Sequence, residues 1–464
     1  MALRLVKASL ILIFLFAPQI SSAQSPQTVR VADERYKADI LLVVAHPDDE
    51  GAATPYLARA MDEGKRVAVV YGTRGSSGGN ESSSEQAAAL GDVREIEARR
   101  ALATLGITNA WFLGGRDTAS QNVLQSLANW GHGASLEQLV RIIRLTRPEV
   151  ILTFLPGTFI GEDHGDHQAA GVLGTEAFDI SGDSTVFPEQ VAGPTKRLEV
   201  FLQNLRPWQP KKIYYFPDAD NDALFANLGP EYSVREISKS AKRPYWRMAL
   251  ESFREHQTQA KSYIDSIAKM DEAQIEKMAT GPDGWGQAQH FVLGKSLVGG
   301  SLKGEIFEGI TPGAIAFARP KNVPGPALPD VSAELAGIWS FYADFRREHG
   351  LTHLPHPEPP EIALQAPGTI VIPLWLRNQT AAAKEITLTA KLPAGWTVQS
   401  GAGNYSVPAK QVVAARVEIN FPALAENEPK NSALEEVTVH AESGGQPIGV
   451  ATVRVERRKK ALPQ

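Results

Sequence analysis

The stretch Ile40-Leu41-Leu42-Val43-Val44-Ala45-His46-Pro47-Asp48-Asp49-Glu50 decides the fold. Five consecutive apolar residues, three of them β-branched, leave no polar face and read as a strand buried on both sides of a sheet. The run then stops in a histidine and three carboxylates. Open α/β sheets bind ligands beyond the carboxyl ends of their strands, so these four side chains belong at the mouth of the sheet. Pro47 stiffens the turn, and an imidazole and a carboxylate three residues apart can reach one divalent cation. A second polar cluster, Glu162-Asp163-His164-Gly165-Asp166-His167, follows another apolar run, Val150 to Phe154. Together the clusters point to a mononuclear metal site with acid–base groups beside it.

Strand and helix patterns alternate outward from that stretch. Residues 52–64 predict a helix carrying Tyr56, Leu57 and Met61, and residues 66–71 a second strand. Asp92, with Glu95 three residues on, reads as a capping box opening a helix through Arg94, Glu97 and Leu102 that stops at Gly106. A short strand at 110–113, a helix at 136–145 and the strand at 150–154 follow. This β-α order implies a parallel sheet covered by helices on both faces. Residues 200–205 and 212–216 read as strands and 245–270 as a helical stretch.

The 464 residues carry a net charge of −5, which becomes more negative once the N-terminal segment is removed. That balance excludes nucleic acid as a partner. There is no cysteine, so a metal must be held by His, Asp or Glu. Arg4 and Lys7, the apolar run 8–16 and Ser21-Ser22-Ala23 describe a signal peptide over residues 1–23. The run is short for a membrane span. An exported protein, periplasmic or extracellular, is expected, with no transmembrane segment in the mature chain.

Towards the C-terminus the character changes. Pro-rich stretches at 319–329 and 354–360 flank a helix through Trp339, Phe341 and Phe345, and read as stiff linkers. Short strands at 369–376, 385–391, 411–419 and 436–441, separated by turn residues, predict a β-sandwich. Pro393-Ala394-Gly395-Trp396 resembles the turn-and-Trp signature of bacterial immunoglobulin-like accessory domains. The expected organisation is a signal peptide (1–23), a catalytic domain (24–330), a helix and Pro-rich linker (331–360) and a sandwich (361–464), the last contacting glycan or another protein.

Ala45 to Glu50 resembles the signature of the PIG-L (LmbE-like) deacetylases, as do Thr73-Arg74-Gly75, Arg94 to Arg99 with Leu105-Gly106, the His164/His167 pair, and Glu255 to Gln259. The resemblance spans roughly residues 38–270. It implies a Rossmann-like catalytic domain and a zinc-dependent enzyme that removes N-acetyl groups from N-acetylglucosamine-containing compounds. It implies His46, Asp49 and His167 as metal ligands, Asp48 as general base and His164 as the group that stabilises the oxyanion and protonates the amine. Arg94 and His256 would contact substrate. Zinc is the implied metal, and these ligand types accept iron(II) as well. Gly165 stands where the family commonly has proline, which predicts a looser loop around His164. Ser76 stands where acidic residues are frequent.

Plainer readings stand beside these. Arg94 can pair with Glu97 along its helix, and His256 can pack in the cleft wall. Asp166 can orient His164. Residues 74–79 lack the ending of a phosphate loop and read as a flexible lip. His349, His353 and His356 read as solvated. Trp208, Trp246 and Trp285 can stack on sugars or fill cores. An amidase for a larger acyl group and an inactive glycan-binding module are the alternative functions.

Overall fold

The computed structural model describes residues 33–157, 164–191, 205–216, 227–281, 284–318, 329–354 and 359–459. The N-terminal segment read as a signal peptide, residues 200–204 of the strand expected at 200–205, and most of both Pro-rich stretches lie outside them, as do Glu162, Asp163 and His356.

The apolar runs become strands because nothing else hides their two faces. Strands β1 (Ile40–Val44), β2 (Val67–Tyr71), β3 (Asn109–Phe112), β4 (Val150–Phe154) and β5 (Lys212–Phe216) lie parallel in the order β3-β2-β1-β4-β5. Every residue of β1, β2, β4 and β5 is buried. The short β6 (Glu231–Ser233) and β7 (Ala288–His290) pair with each other, and β8 (Val292–Ser296) closes the far edge antiparallel to β5. The strand order reverses between β1 and β4, so the crevice for a ligand opens at the carboxyl ends of those two strands.

Helices α1 (Thr54–Asp62), α2 (Ala87–Thr104), α3 (Val123–Trp130), α4 (His132–Thr146) and α5 (Gly165–Ile180) accompany the sheet. α2 begins five residues before Asp92, so Asp92 and Glu95 are not its capping box: Ala87-Ala88-Ala89-Leu90 are strong helix formers and extend the start. The helical stretch expected at 245–270 is two helices, α6 (Tyr245–Phe253) and α7 (Gln257–Ile267), with His256 at the break. α8 (Glu272–Ala279) follows, opened by a true capping box at Asp271 and Gln274.

The C-terminal region is β-rich. It holds β9 (Val331–Leu335), β10 (Glu361–Ala366), β11 (Gly368–Asn378), β12 (Lys384–Lys391), β13 (Thr397–Ser400), β14 (Gly403–Val407), β15 (Gln411–Phe421), β16 (Glu435–Ser443) and β17 (Gln446–Lys459). Two sheets form, β10-β17-β16-β12-β14 and β13-β15-β11-β9. Alternate residues Ile370, Ile372, Leu374 and Leu376 meet Ile386, Val417, Val439 and Val453 in one apolar core, which Trp396 joins.

The segment 331–360 is more than a spacer. β9 pairs with β11 in the C-terminal sheet, while Tyr342 and Phe345 of α9 (Ile338–Glu348), with Leu351 and Leu354, enter the core of the parallel-sheet body. The chain therefore crosses between the two cores three times, into β9, back to α9 and out again to β10. A fragment ending at residue 355 would keep α9 but leave β9 without its partner strand and its core. It is expected to aggregate on expression, where a simple-linker arrangement would give a soluble fragment with an unchanged melting temperature.

Candidate active site

Asp49 organises the turn that leaves β1. Its Oδ2 accepts the backbone N–H groups of Ala45 at 2.9 Å and His46 at 2.7 Å. These bonds fold residues 45–49 back on themselves and present the His46 ring beside the Asp49 carboxylate. From the other side of the crevice, the first turn of α5 delivers His167. His46 Nδ1 lies 3.2 Å from His167 Nε2 and 3.5 Å from Asp49 Oδ2, and His167 Nε2 lies 3.2 Å from Asp49 Oδ1. Phe154, the last residue of β4, stacks on the His167 ring at 4.6 Å.

The far side of the His46 ring sets its tautomer. Nε2 lies 3.2 Å from Asp117 Oδ1 and 3.3 Å from Asp166 Oδ2. Both carboxylates are buried, so in the neutral form that can ligate a metal the proton sits on Nε2 and the Nδ1 lone pair faces Asp49 and His167. Burial disfavours a charged imidazole here, but Asp49, Asp117 and Asp166 outweigh it and hold the His46 pKa well above the ordinary value. Burial likewise opposes the Asp49 carboxylate, yet His167 and His46 pull its pKa well below the usual range.

Ligand atoms bound at 2.0–2.1 Å to a tetrahedral ion stand about 3.3–3.4 Å apart. The His46, His167 and Asp49 atoms fit that spacing. Asp49 faces His46 with Oδ2 and His167 with Oδ1, so one of its oxygens must turn to complete the set. Two triplets of single ligand atoms without Asp49 close to within 4.8 Å among the described residues, His46/His164/His167 and His46/Asp117/Asp166. The second uses the Nε2 face that the two carboxylates already occupy. In the first, His164 Nδ1 accepts the Asp166 N–H at 3.3 Å, leaving only its Nε2.

Asp48 follows the turn with φ at 104°, a strained value of the kind found at functional sites. Its N–H donates to Glu50 Oε2 at 3.0 Å. Burial, then Asp49 and Glu50, push its carboxyl up to about 7, against the pull of His256 and His46. His164 is pushed down to about 4 by burial and by His46 and His167, so it is a neutral imidazole at pH 7.

Several sequence-based expectations change. His256 does not line the cleft. It is buried behind Asp48, where its Nε2 meets Glu50 Oε1 at 2.7 Å. Arg94 does line it, but its Nη1 and Nη2 donate to the carbonyls of Gly75 and Gly79. Glu97 turns to Thr258 instead. The lip is tethered: besides Arg94, Asp117 Oδ2 accepts the Ser77 N–H at 2.6 Å. Asp166 reaches His46 with its carboxylate and touches His164 only through its N–H. Gly165 itself is closely packed: its N–H donates to Ser120 O, and a Cβ there would come within 2.7 Å of that oxygen. His349 is not simply solvated; its Nδ1 meets Asp179 Oδ2 at 2.6 Å. Trp208 and Trp246 are core residues, while Trp285 lines the cleft.

Asp117 was missed in the sequence. The available signal was Gly114-Gly115-Arg116-Asp117 directly after β3, a carboxylate on the same sheet edge as His46. The cleft above the site has a volume of about 710 Å³, with Phe253, Tyr263 and Trp285 on one wall.

A family model described as PIG-L, GlcNAc-PI de-N-acetylase, matches residues 41–178. A 1D-myo-inositol 2-acetamido-2-deoxy-alpha-D-glucopyranoside deacetylase from Streptomyces avermitilis is 31% identical over 224 residues, covering 44% of this chain and 69% of the relative. The chain belongs to the PIG-L family. A protein of the same description from Thermobifida fusca is 31% identical over 191 residues, 38% of this chain and 60% of its own length. The chain spans little more than half the length of several other such relatives. Among solved structures, N,N'-diacetylchitobiose deacetylase from Pyrococcus horikoshii is similar at 18% identity and a TM-score of 0.39, over 57% of this chain and 86% of that one. The PIG-L match contains His46, Asp48, Asp49, Arg94, Asp117, His164, Asp166 and His167 and stops short of His256 and the aromatic wall.

Proposed function

We propose that this protein is an exported, divalent-metal-dependent hydrolase that removes N-acetyl groups from N-acetylglucosamine-containing sugars or glycoconjugates. The observation that carries the reading is the meeting of His46 Nδ1, His167 Nε2 and an Asp49 carboxylate at 3.2–3.5 Å on the floor of the cleft. Zinc suits this donor set, and iron(II) accepts it too. When bound, such an ion polarises the acyl carbonyl and eases the deprotonation of water.

The rest of the chemistry belongs to the chain. Asp48, with a carboxyl poised near neutrality, takes the proton of the attacking water and returns it to the amine nitrogen as the C–N bond breaks. His164 accepts the Asp166 N–H at Nδ1, so its Nε2 carries a hydrogen to donate to the oxyanion. This shifts the amine's proton from His164 to Asp48. Arg94 holds the lip of the cleft, and the wall of Phe253, Tyr263 and Trp285 offers apolar faces to a second ring or an aglycone. Export rests on Arg4, Lys7 and the apolar run 8–16. We read the two C-terminal sheets as an immunoglobulin-like β-sandwich that contacts glycan or protein.

Asp117 and Asp166 act through His46. Asp117→Asn or Asp166→Asn should weaken metal affinity by about 10- to 100-fold while leaving the ligands in place. Chelator competition measures this, and an unchanged affinity in both variants would remove their role in fixing the tautomer. The function itself is tested by acetate release from N-acetylglucosamine, chitooligosaccharides and muropeptides with the metal-loaded full chain. Acetate from any of them, abolished by a chelator, is the expected result. Hydrolysis without acetate would favour the amidase for a larger acyl group.

A further inference from the structure

Helix α9 lies far beyond the matched residues 41–178, yet it grips the segment that carries His164 and His167. The Tyr342 hydroxyl donates to Gln168 Oε1, one residue after His167 in the first turn of α5. Arg346 is buried, and its Nε and Nη2 donate to the carbonyl of Pro156 at 3.2 and 3.1 Å. Pro156 is two residues past Phe154, the ring that stacks on His167. At the other end of α5, His349 meets Asp179.

These contacts fall on both sides of one joint. The exit of β4 and the N-terminal half of α5 are pressed together at Gly171, where a Cβ would come within 2.4 Å of Phe154 O. A helix that holds the β4 exit through Pro156 and the α5 start through Gln168 fixes the angle between them. That angle sets where His167 Nε2 stands relative to His46 and Asp49 on β1's side of the crevice. Side chains that orient metal ligands commonly change affinity tenfold or more when removed.

We propose that Tyr342 and Arg346 are positioning residues for the metal site, so that α9 is a working part of the catalytic body. The inference rests on the assignment of His46, Asp49 and His167 as ligands. Tyr342→Phe keeps the ring in the core and removes only the hydroxyl. Arg346→Lys keeps the charge and loses the two-pronged grip on Pro156. In the full chain, both should weaken the zinc dissociation constant by about tenfold and lower kcat. KM for an N-acetyl sugar and the melting temperature of the metal-free protein should stay close to wild type.

A merely structural role would lower the melting temperature and leave zinc affinity unchanged, and that result in both variants overturns the inference. Wild-type protein measured alongside separates the two levels. If wild type binds no zinc, the ligand assignment fails and the inference with it. If wild type binds zinc and both variants bind it equally well, only the inference fails.

Discussion

Replacing His167 by alanine is expected to strip the protein of its divalent metal and reduce acetate release by about 10³-fold or more, the scale of several kcal/mol of Lewis-acid stabilisation. The imidazole supplies the one ligand atom that crosses the crevice from α5. Without it, His46 and Asp49 remain, both from the turn after β1, and two ligands do not hold a tetrahedral ion against water. The fold should survive. Phe154 loses a stacking partner worth about 1 kcal/mol, but the rest of α5 stays packed through Ala169, Val172 and Leu173, all fully buried. Elemental analysis should give one metal per chain in wild type and none in the variant. Full occupancy in His167→Ala would remove His167 from the ligand set.

Asp48→Asn should give the opposite combination, with metal retained and turnover lowered by about 10²- to 10⁴-fold. The amide matches the carboxylate in shape and tolerates the left-handed φ of 104°, so the turn should form unchanged. What it cannot do is accept a proton. The same logic fixes the pH dependence. Only the ionised Asp48 works as a base, so wild-type kcat/KM should fall as pH drops through its pKa. In the metal-free protein, burial and Asp49 push that value up to about 7. The charge of a bound cation pulls it down again, which puts the acid limb below 7. Asp48→Asn should lose this limb. A variant that keeps the limb and the rate would show that another group is the base.

The legible parts of the fold and site were those with a local signature. β1 and β4 are unbroken apolar runs; His46 and Asp49 come within five residues of the end of β1, and His164 and His167 open α5, the helix that follows β4, so the sequence order of strand and cluster puts them at one crevice. Asp117 and Asp166 were harder. A carboxylate that fixes a histidine tautomer looks like any other acid until β3 is placed on the same sheet edge. His256 lay in a recognisable segment, but the break between α6 and α7 points it at Glu50, and no periodicity reports such a kink. Asp92 and Glu95 imitated a capping box because their spacing fits, while the alanines before them carried the helix further. The interlaced segment 331–354 was read as a helix beside linkers because proline-rich flanks suggest separation. The pairing of β9 with β11 and the burial of Tyr342 are contacts between residues far apart in the chain.

The most direct test of the metal site is an anomalous difference map at the zinc edge from crystals of the zinc-loaded protein. A single peak within bonding distance, about 2.0–2.2 Å, of His46 Nδ1, His167 Nε2 and the Asp49 carboxylate is the predicted result. A peak on the Nε2 face of His46 between Asp117 and Asp166, or one held by His46, His164 and His167 without Asp49, would contradict it.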